Sequence, residues 1–326
     1  MNQMTTINTK KAPVVMIGYS RQQTLELSLQ NLSRCFDVAD RDISLFLDAP
    51  YKPEHQQLTD ALYVCACALK EKMLPHLRIV RRERNYGVPG NLISAVSETL
   101  NLYGRIIFFE DDVLVSRTFL RFMDEALEFY EKDKRIWCIN GNSGPYVRIH
   151  RDYPYDVYLT PRNLPWGWAT WKDRWEAVDF TIRDWPEKAQ DTEFVRKVVA
   201  AGEELLPLLN GIYAGRVRTW DVQCTYYMLK HGLFSIEPKY RLTKTIGLGT
   251  KDAVNCRAGN ASIECMKYYN FAPRLQSELC VDNQIMKSFC HAWSENKRVF
   301  WRLVRRLHRF VLSLGSRHDA PIDICS

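Results

Sequence analysis

The residues best suited to chemistry are Glu110-Asp111-Asp112, which follow directly on the apolar run Ile106-Ile107-Phe108-Phe109. Four bulky residues in a row predict a strand buried on both faces. Desolvating even one ionised carboxylate is costly, so three at the end of such a strand need a cation or hydrogen-bond donors. A divalent metal carrying a phosphate group would supply the cation, because hard ions take oxygen ligands. The trio also fits a plainer reading, a strand followed by an acidic turn or by a helix N-terminus, where carboxylates are favoured. Another acid, Asp221, stands in Arg218-Thr219-Trp220-Asp221-Val222-Gln223, where it fits the N-cap of a helical run to Lys230.

The surrounding pattern is that of an α/β protein. Pro13–Ile17 reads as a strand, with Ser20 placed to cap a helix whose apolar face is Leu25, Leu29, Leu32 and Phe36. Ile43–Leu47 is a second strand ending at Asp48-Ala49-Pro50, and Leu58, Ala61, Leu62, Cys65 and Leu69 form the next helical face. Leu77–Val80 is a third strand, and a polar Asn/Gly/Pro loop over 81–90 leads to a helix over 91–102. This alternation predicts a parallel sheet with right-handed crossovers, and such sheets bind ligands at the carboxyl ends of their strands. Further on, the sequence predicts a helix around Phe119–Tyr130 and strands at Ile136–Asn140 and Leu233–Pro238. Between the last two lie aromatic loops, notably Leu164–Trp171, and a helix over 192–209. No Gly-x-Gly-x-x-Gly or Walker-type loop follows any strand, so a nucleotide would be held through carboxylates and metal rather than a glycine cradle.

Composition excludes several classes. With 326 residues, 46% hydrophobic and 25% charged, the chain can bury a large core and is not a disordered polypeptide. The net charge of +7 comes from the end of the chain, since residues 1–295 hold 38 basic and 36 acidic side chains. A nearly neutral body argues against a nucleic-acid partner, which would want a basic face. The ten cysteines contain no C-x-x-C pair, so neither a zinc site nor a thioredoxin-type motif is expected. The polar start and the short apolar stretch after it do not form a secretory core, and no run is long enough to span a bilayer. These features predict a reduced, cytoplasmic compartment.

Taken in order, the pieces Pro13–Arg21, Phe46-Leu47-Asp48, Phe109–Asp112, Ile136–Asn140, Gly167-Trp168 and Trp220-Asp221 resemble a GT-A fold glycosyltransferase. The pattern is similar to that of the inverting N-acetylglucosaminyltransferase I group and of related bacterial surface-polysaccharide glycosyltransferases, over about residues 13–250. The resemblance implies a Rossmann-like, mostly parallel sheet and transfer of a hexose or N-acetylhexosamine from a UDP-sugar to a saccharide acceptor, with Mn²⁺ or Mg²⁺. It implies Asp112 as direct metal ligand, Asp111 near the ribose, Glu110 near the donor sugar, and Arg21, Asp48 and Asn91 at the uridine end. It implies Asp221 as the base that takes the acceptor proton, and Trp166, Trp168 and Trp220 as walls of the acceptor site. Physical chemistry is consistent with that base: Trp220 would desolvate Asp221 and lift its pKa, while Arg216 and Arg218 pull the other way. One departure stands out. Many such enzymes place a histidine after the last loop as a second metal ligand, whereas Gly249–Cys256 offers Asp252 and Asn255 and no histidine.

Beyond the domain expected over 10–290 (a nucleotide-sugar half over 10–140 and an acceptor half over 141–290), Phe300, Leu303, Val304, Leu307, Phe310, Val311 and Leu314 recur at helical spacing among arginines. Over 297–317 this predicts a basic amphipathic helix within 291–318, followed by a tail over 319–326. It would either lie on an anionic membrane surface or pack its stripe on the domain. The first alternative predicts a peripheral protein on the inner face of the cytoplasmic membrane, acting on a lipid-linked acceptor. Two other functions fit less of the pattern. A sugar-nucleotide pyrophosphorylase would want a glycine-rich phosphate loop after the first strand, and a non-catalytic saccharide-binding protein would not need the acids.

Overall fold

The computed structural model describes residues 11–144, 147–247, 273–276 and 278–294. Strand β1 (Val14–Gly18), buried at every position, leads to α1 (Gln22–Leu32), which seats Leu25, Leu29 and Leu32 on the sheet. The alternation continues through β2 (Ile43–Leu47), α2 (Gln56–Met73), β3 (Leu77–Arg81), α3 (Gly87–Tyr103) and β4 (Arg105–Glu110). β1 pairs in parallel with both β2 and β4, and β2 with β3, so the carboxyl ends of these four strands share one edge. Next come β5 (Val113–Val115), α4 (Phe119–Tyr130), β6 (Ile136–Asn140), β7 (Val157–Thr160) and β8 (Trp168–Trp171). Short helices α5 (Lys172–Trp175) and α6 (Trp185–Lys188) precede α7 (Thr192–Ala201), α8 (Leu205–Tyr213) and α9 (Asp221–His231). β9 (Phe234–Pro238), β10 (Thr243–Thr245) and α10 (Asn283–Ala292) complete the described chain.

Among the described residues the main sheet has eight strands in the order β3-β2-β1-β4-β8-β6-β9-β7. β8 runs antiparallel to its neighbours β4 and β6, and β7 antiparallel to β9, while the other pairs are parallel. The α/β architecture with a mostly parallel central sheet is therefore what the chain adopts. Strand alternation sorts the core onto two faces. Val14, Met16, Ile107 and Phe109 pack with α1, α2 and α4, while Val15, Ile17, Ile106 and Phe108 pack with α3, α9 and a tryptophan stack. A third apolar cluster holds α7, α8 and α9 together through Phe194, Val198, Leu205, Leu209, Val222 and Tyr226. The first stretch is also clasped by charge, since the buried Arg41 pairs with Asp124 and donates to the Ala12 carbonyl at 2.6 Å.

Four local expectations are corrected. Trp168–Trp171, expected as loop, is a strand in the middle of the sheet, buried on both faces and so without any polar alternation to betray it. Ser20 does not cap α1: Arg21 holds the cap position, and no side chain caps the helix there. The helix expected over 91–102 begins at Gly87, inside the stretch expected as loop. The helix expected over 192–209 is two helices, broken at Gly202, where a β-carbon would collide with the Arg162 guanidinium. The basic stripe over 297–317, the tail over 319–326 and the segment holding Asp252 and Asn255 lie outside the described residues. Among the described residues no helix is long and apolar enough to cross a membrane.

Candidate active site

β4 delivers Glu110, Asp111 and Asp112 to the sheet edge, and the chain then turns into β5, which pairs antiparallel with β10. Asp111 and Asp112 are buried. Their backbone is fixed by Ser28, whose hydroxyl donates to the Asp111 carbonyl at 2.9 Å, and by the Ile246 N–H, which donates to the Asp112 carbonyl at 2.8 Å. Arg21, at the start of α1, bridges the pair: Nη1 donates to Asp112 Oδ2 at 2.8 Å and Nη2 donates to Asp111 Oδ1. Gly247 follows β10 and crosses the same corner so closely that a β-carbon there would overlap Asp112 Oδ2 and lie 2.7 Å from Arg21 Nη1.

Among the described residues one guanidinium faces three carboxylates, which leaves negative charge in excess. Burial, then the charges of Asp112 and Asp111, push Glu110 up to about 8. Burial also pushes Asp111 up to about 7, with Arg21 opposing and Asp112 reinforcing the rise. For Arg21 burial alone would lower the pKa, but the charges of Asp111 and Asp112 outweigh it and leave it raised. Carboxylates whose ionised forms are disfavoured by burial and by one another are ones that additional positive charge would relieve. Among the described residues no cluster of three or more His, Cys, Asp or Glu side chains forms a metal cage. Metals that carry phosphates need only one or two carboxylates, so Asp112 with Asp111 meets that requirement, provided Arg21 yields their oxygens.

Asp48 and Asn91 stand at the neighbouring ends of β2 and α3, and both are buried. Asp48 Oδ1 accepts from the N–H groups of Ala49 at 3.0 Å and Tyr86 at 2.9 Å, and burial leaves the carboxyl raised despite those bonds. Asn91 donates to the Phe46 carbonyl at 3.1 Å and accepts from Arg82 Nε at 2.9 Å. Arg82 was not singled out by the sequence, yet its guanidinium stacks 4.7 Å from the Phe46 ring centre and 5.1 Å from that of Tyr86. Its Nη2 is buried without a hydrogen-bond partner among the described residues. Tyr19 is a further addition: its hydroxyl meets His55 Nδ1 at 2.5 Å and accepts from the Tyr51 N–H at 2.9 Å. Only the run of polar residues after the third strand hinted at this group.

Asp221 is the first residue of α9 rather than its cap, a position the helix dipole favours for an acid. Thr219 donates its hydroxyl to Asp221 Oδ1, and Gln223 Nε2 returns to the Thr219 carbonyl at 2.8 Å. Packing sets where Asp221 stands. Trp220 sits against Phe108 and stacks on Trp168, with ring centres 6.2 and 5.2 Å apart, so the start of α9 is tied to the strand that ends in Glu110. The Asp221 charge is felt at Glu110. The three tryptophans separate. Trp168 is fully buried among Trp137, Trp175 and Trp220, and Trp220 is buried with it, whereas Trp166 keeps partial exposure. Trp168 thus belongs to the core and cannot present a ring face to a ligand.

No protein-family model and no curated protein matches the chain. Among solved structures it is similar to a mannosyltransferase from Pyrobaculum calidifontis in complex with GDP-Man and Mn²⁺, at 14% identity over 50% of this chain and 45% of that one, with a TM-score of 0.37. It is also similar to S. aureus TarS, at 15% identity over 49% of this chain and 47% of that one, with a TM-score of 0.34. For the galactosyltransferase LgtC in complex with donor and acceptor sugar analogs the figures are 10% identity, 68% and 72% coverage and a TM-score of 0.33. The chain thus spans about half the length of the first two.

Proposed function

We propose that the protein is a metal-dependent inverting glycosyltransferase that moves a hexose or N-acetylhexosamine from a UDP-sugar to a saccharide acceptor, lipid-linked, in bacterial surface-polysaccharide synthesis. One observation carries the reading: Glu110, Asp111 and Asp112 end one strand with Arg21 as the cation that pairs with them among the described residues, and the charge of Asp221, from a distant part of the chain, acts on Glu110. In this reading Asp112 and Asp111 provide the oxygen ligands of a divalent ion, and the Arg82–Asn91–Asp48 group lies at the nucleoside end. When bound, the metal neutralises the charge that develops on the departing diphosphate. Asp221 accepts the proton of the acceptor hydroxyl as that oxygen attacks the sugar from the face opposite the leaving group. Thr219 fixes the carboxylate for this task, and Trp166 offers the one partly exposed ring of the expected three to an acceptor sugar.

Thermal melting of the full chain tests the donor site. UDP with Mn²⁺ should raise Tm by mass action. Asp112→Ala should abolish that rise, and absence of any rise with millimolar nucleotide diphosphate and metal would remove the donor site. Asp221→Asn should keep the rise and lose transfer.

The Arg21 bridge favours a second reading, a saccharide-binding protein whose acids are permanently satisfied by the guanidinium. It expects no metal-dependent rise in wild-type protein.

A further inference from the structure

The stretch that leads into Asp221 is built more firmly than a surface loop requires. At the end of α8 the N–H groups of Arg216 and Val217 both donate to the Gly211 carbonyl, at 2.8 and 3.1 Å, and the Gly215 N–H donates to Ile212 at 2.9 Å. Gly215 takes the left-handed conformation (φ +69°) that this turn needs. Val217 packs onto the bare Cα of Gly211, where a β-carbon would sit 2.6 Å from the valine side chain. On either side of Val217, Arg216 and Arg218 are exposed, with the half-exposed ring of Tyr213 on the preceding helix. Among the described residues neither arginine side chain makes an ion pair or hydrogen bond. Chain length holds the Cα of Arg218 within about 10 Å of that of Asp221, and that of Arg216 within about 17 Å.

We infer that Arg216 and Arg218 bind an oxyanion, phosphoryl or carboxylate, carried by the acceptor. The inference rests on the reading of Asp221 as the acceptor's base. A neutral saccharide offers hydroxyls, which carboxylates and amides match well, whereas a guanidinium fork matches the paired oxygens of phosphate and carboxylate. Two such forks beside the residue that meets the acceptor hydroxyl therefore select an acidic acceptor. The pinned backbone means little order has to be imposed on the loop when it binds.

The test uses full-length protein with UDP and Mn²⁺, titrated calorimetrically with three probes: octyl N-acetylglucosaminide, octyl glucuronide, and a short-chain prenyl diphosphate-linked N-acetylglucosamine. At least one anionic probe should bind on the order of tenfold tighter than the neutral one, as charge-assisted hydrogen bonds are worth that much. Which probe gains distinguishes a sugar carboxylate from a lipid diphosphate. The double variant Arg216→Gln, Arg218→Gln should lose the preference, the double lysine variant should keep part of it, and both should melt with UDP and Mn²⁺ as wild type does. The inference is overturned if neither anionic probe outbinds the neutral one, including failure of both to bind at millimolar concentration. It is equally overturned if the preference survives the double glutamine variant, or if that variant loses the UDP shift, which would give the arginines to the donor. A wild-type protein without any UDP shift strikes the donor reading instead, and the anion preference is then judged by its own arms.

Discussion

Arg21 spans Asp111 and Asp112, so a cation entering this corner has to compete with a guanidinium already in place. A nucleotide diphosphate gives Arg21 another anion to hold, and metal and nucleotide should therefore stabilise the protein more together than the sum of each alone. Melting curves with Mn²⁺, UDP and both will show this, and a full shift with Mn²⁺ alone would contradict it. At the same scale the tryptophans separate packing from binding. Trp168→Ala empties the centre of a ring stack and should cost about 3–5 kcal/mol of stability in denaturant unfolding. Trp166→Ala, at a partly exposed ring, should cost clearly less and act on acceptor binding. The trio was legible in the sequence because an apolar strand ended so abruptly in acid. The partnership of Arg21 with it was not, since the two are 90 and 91 residues apart and nothing local in Gly18-Tyr19-Ser20-Arg21 shows where a side chain will reach. Trp168 was misplaced for a related reason: a tryptophan between a glycine and an alanine looks the same in a ligand wall and in a core.

Among the elements, the β5–β10 ribbon has a specific task, which is to carry Gly247 onto the acids. Gly247→Ala should leave the sheet core intact and push Asp112 and Arg21 apart, so the metal-dependent UDP shift should fall far more than Tm does. β9 contributes a different device, the buried Glu237. It accepts from the hydroxyls of Tyr158 and Thr160, each at 2.7 Å, and from the Gly144 N–H at 3.1 Å. Burial nevertheless raises its pKa against those bonds. The folded chain thus holds this proton more tightly than the unfolded chain, so Glu237 lowers stability as pH rises from the ordinary carboxylate range through its raised value. Glu237→Gln removes that loss, and its Tm relative to wild type should climb as pH rises above the ordinary carboxylate range. The strands of the first half were plain from β-branched runs punctuated by Asp, Gly and Pro. β8 was not, because Pro165 and Gly167 announce a loop and the four residues after them, buried on both faces, show no alternation. β5 and β10, at three residues each, are too short to leave a periodic trace.

At the level of the whole molecule, one sheet runs through both halves of the chain, since β4 from the first pairs with β8 from the second. The basic stripe over 297–317 adds a question of location to this body. Deleting residues 296–326 should release the protein from vesicles containing anionic lipid, as read by co-sedimentation, and unchanged partitioning would assign the stripe to intramolecular packing. The contact of Trp220 with Phe108 has a final consequence. Asp221, in the proposed role of proton acceptor, and the acid trio are tied to a common aromatic block, so in that reading activity is lost only as the block itself melts. Heat inactivation should accordingly track global melting degree for degree.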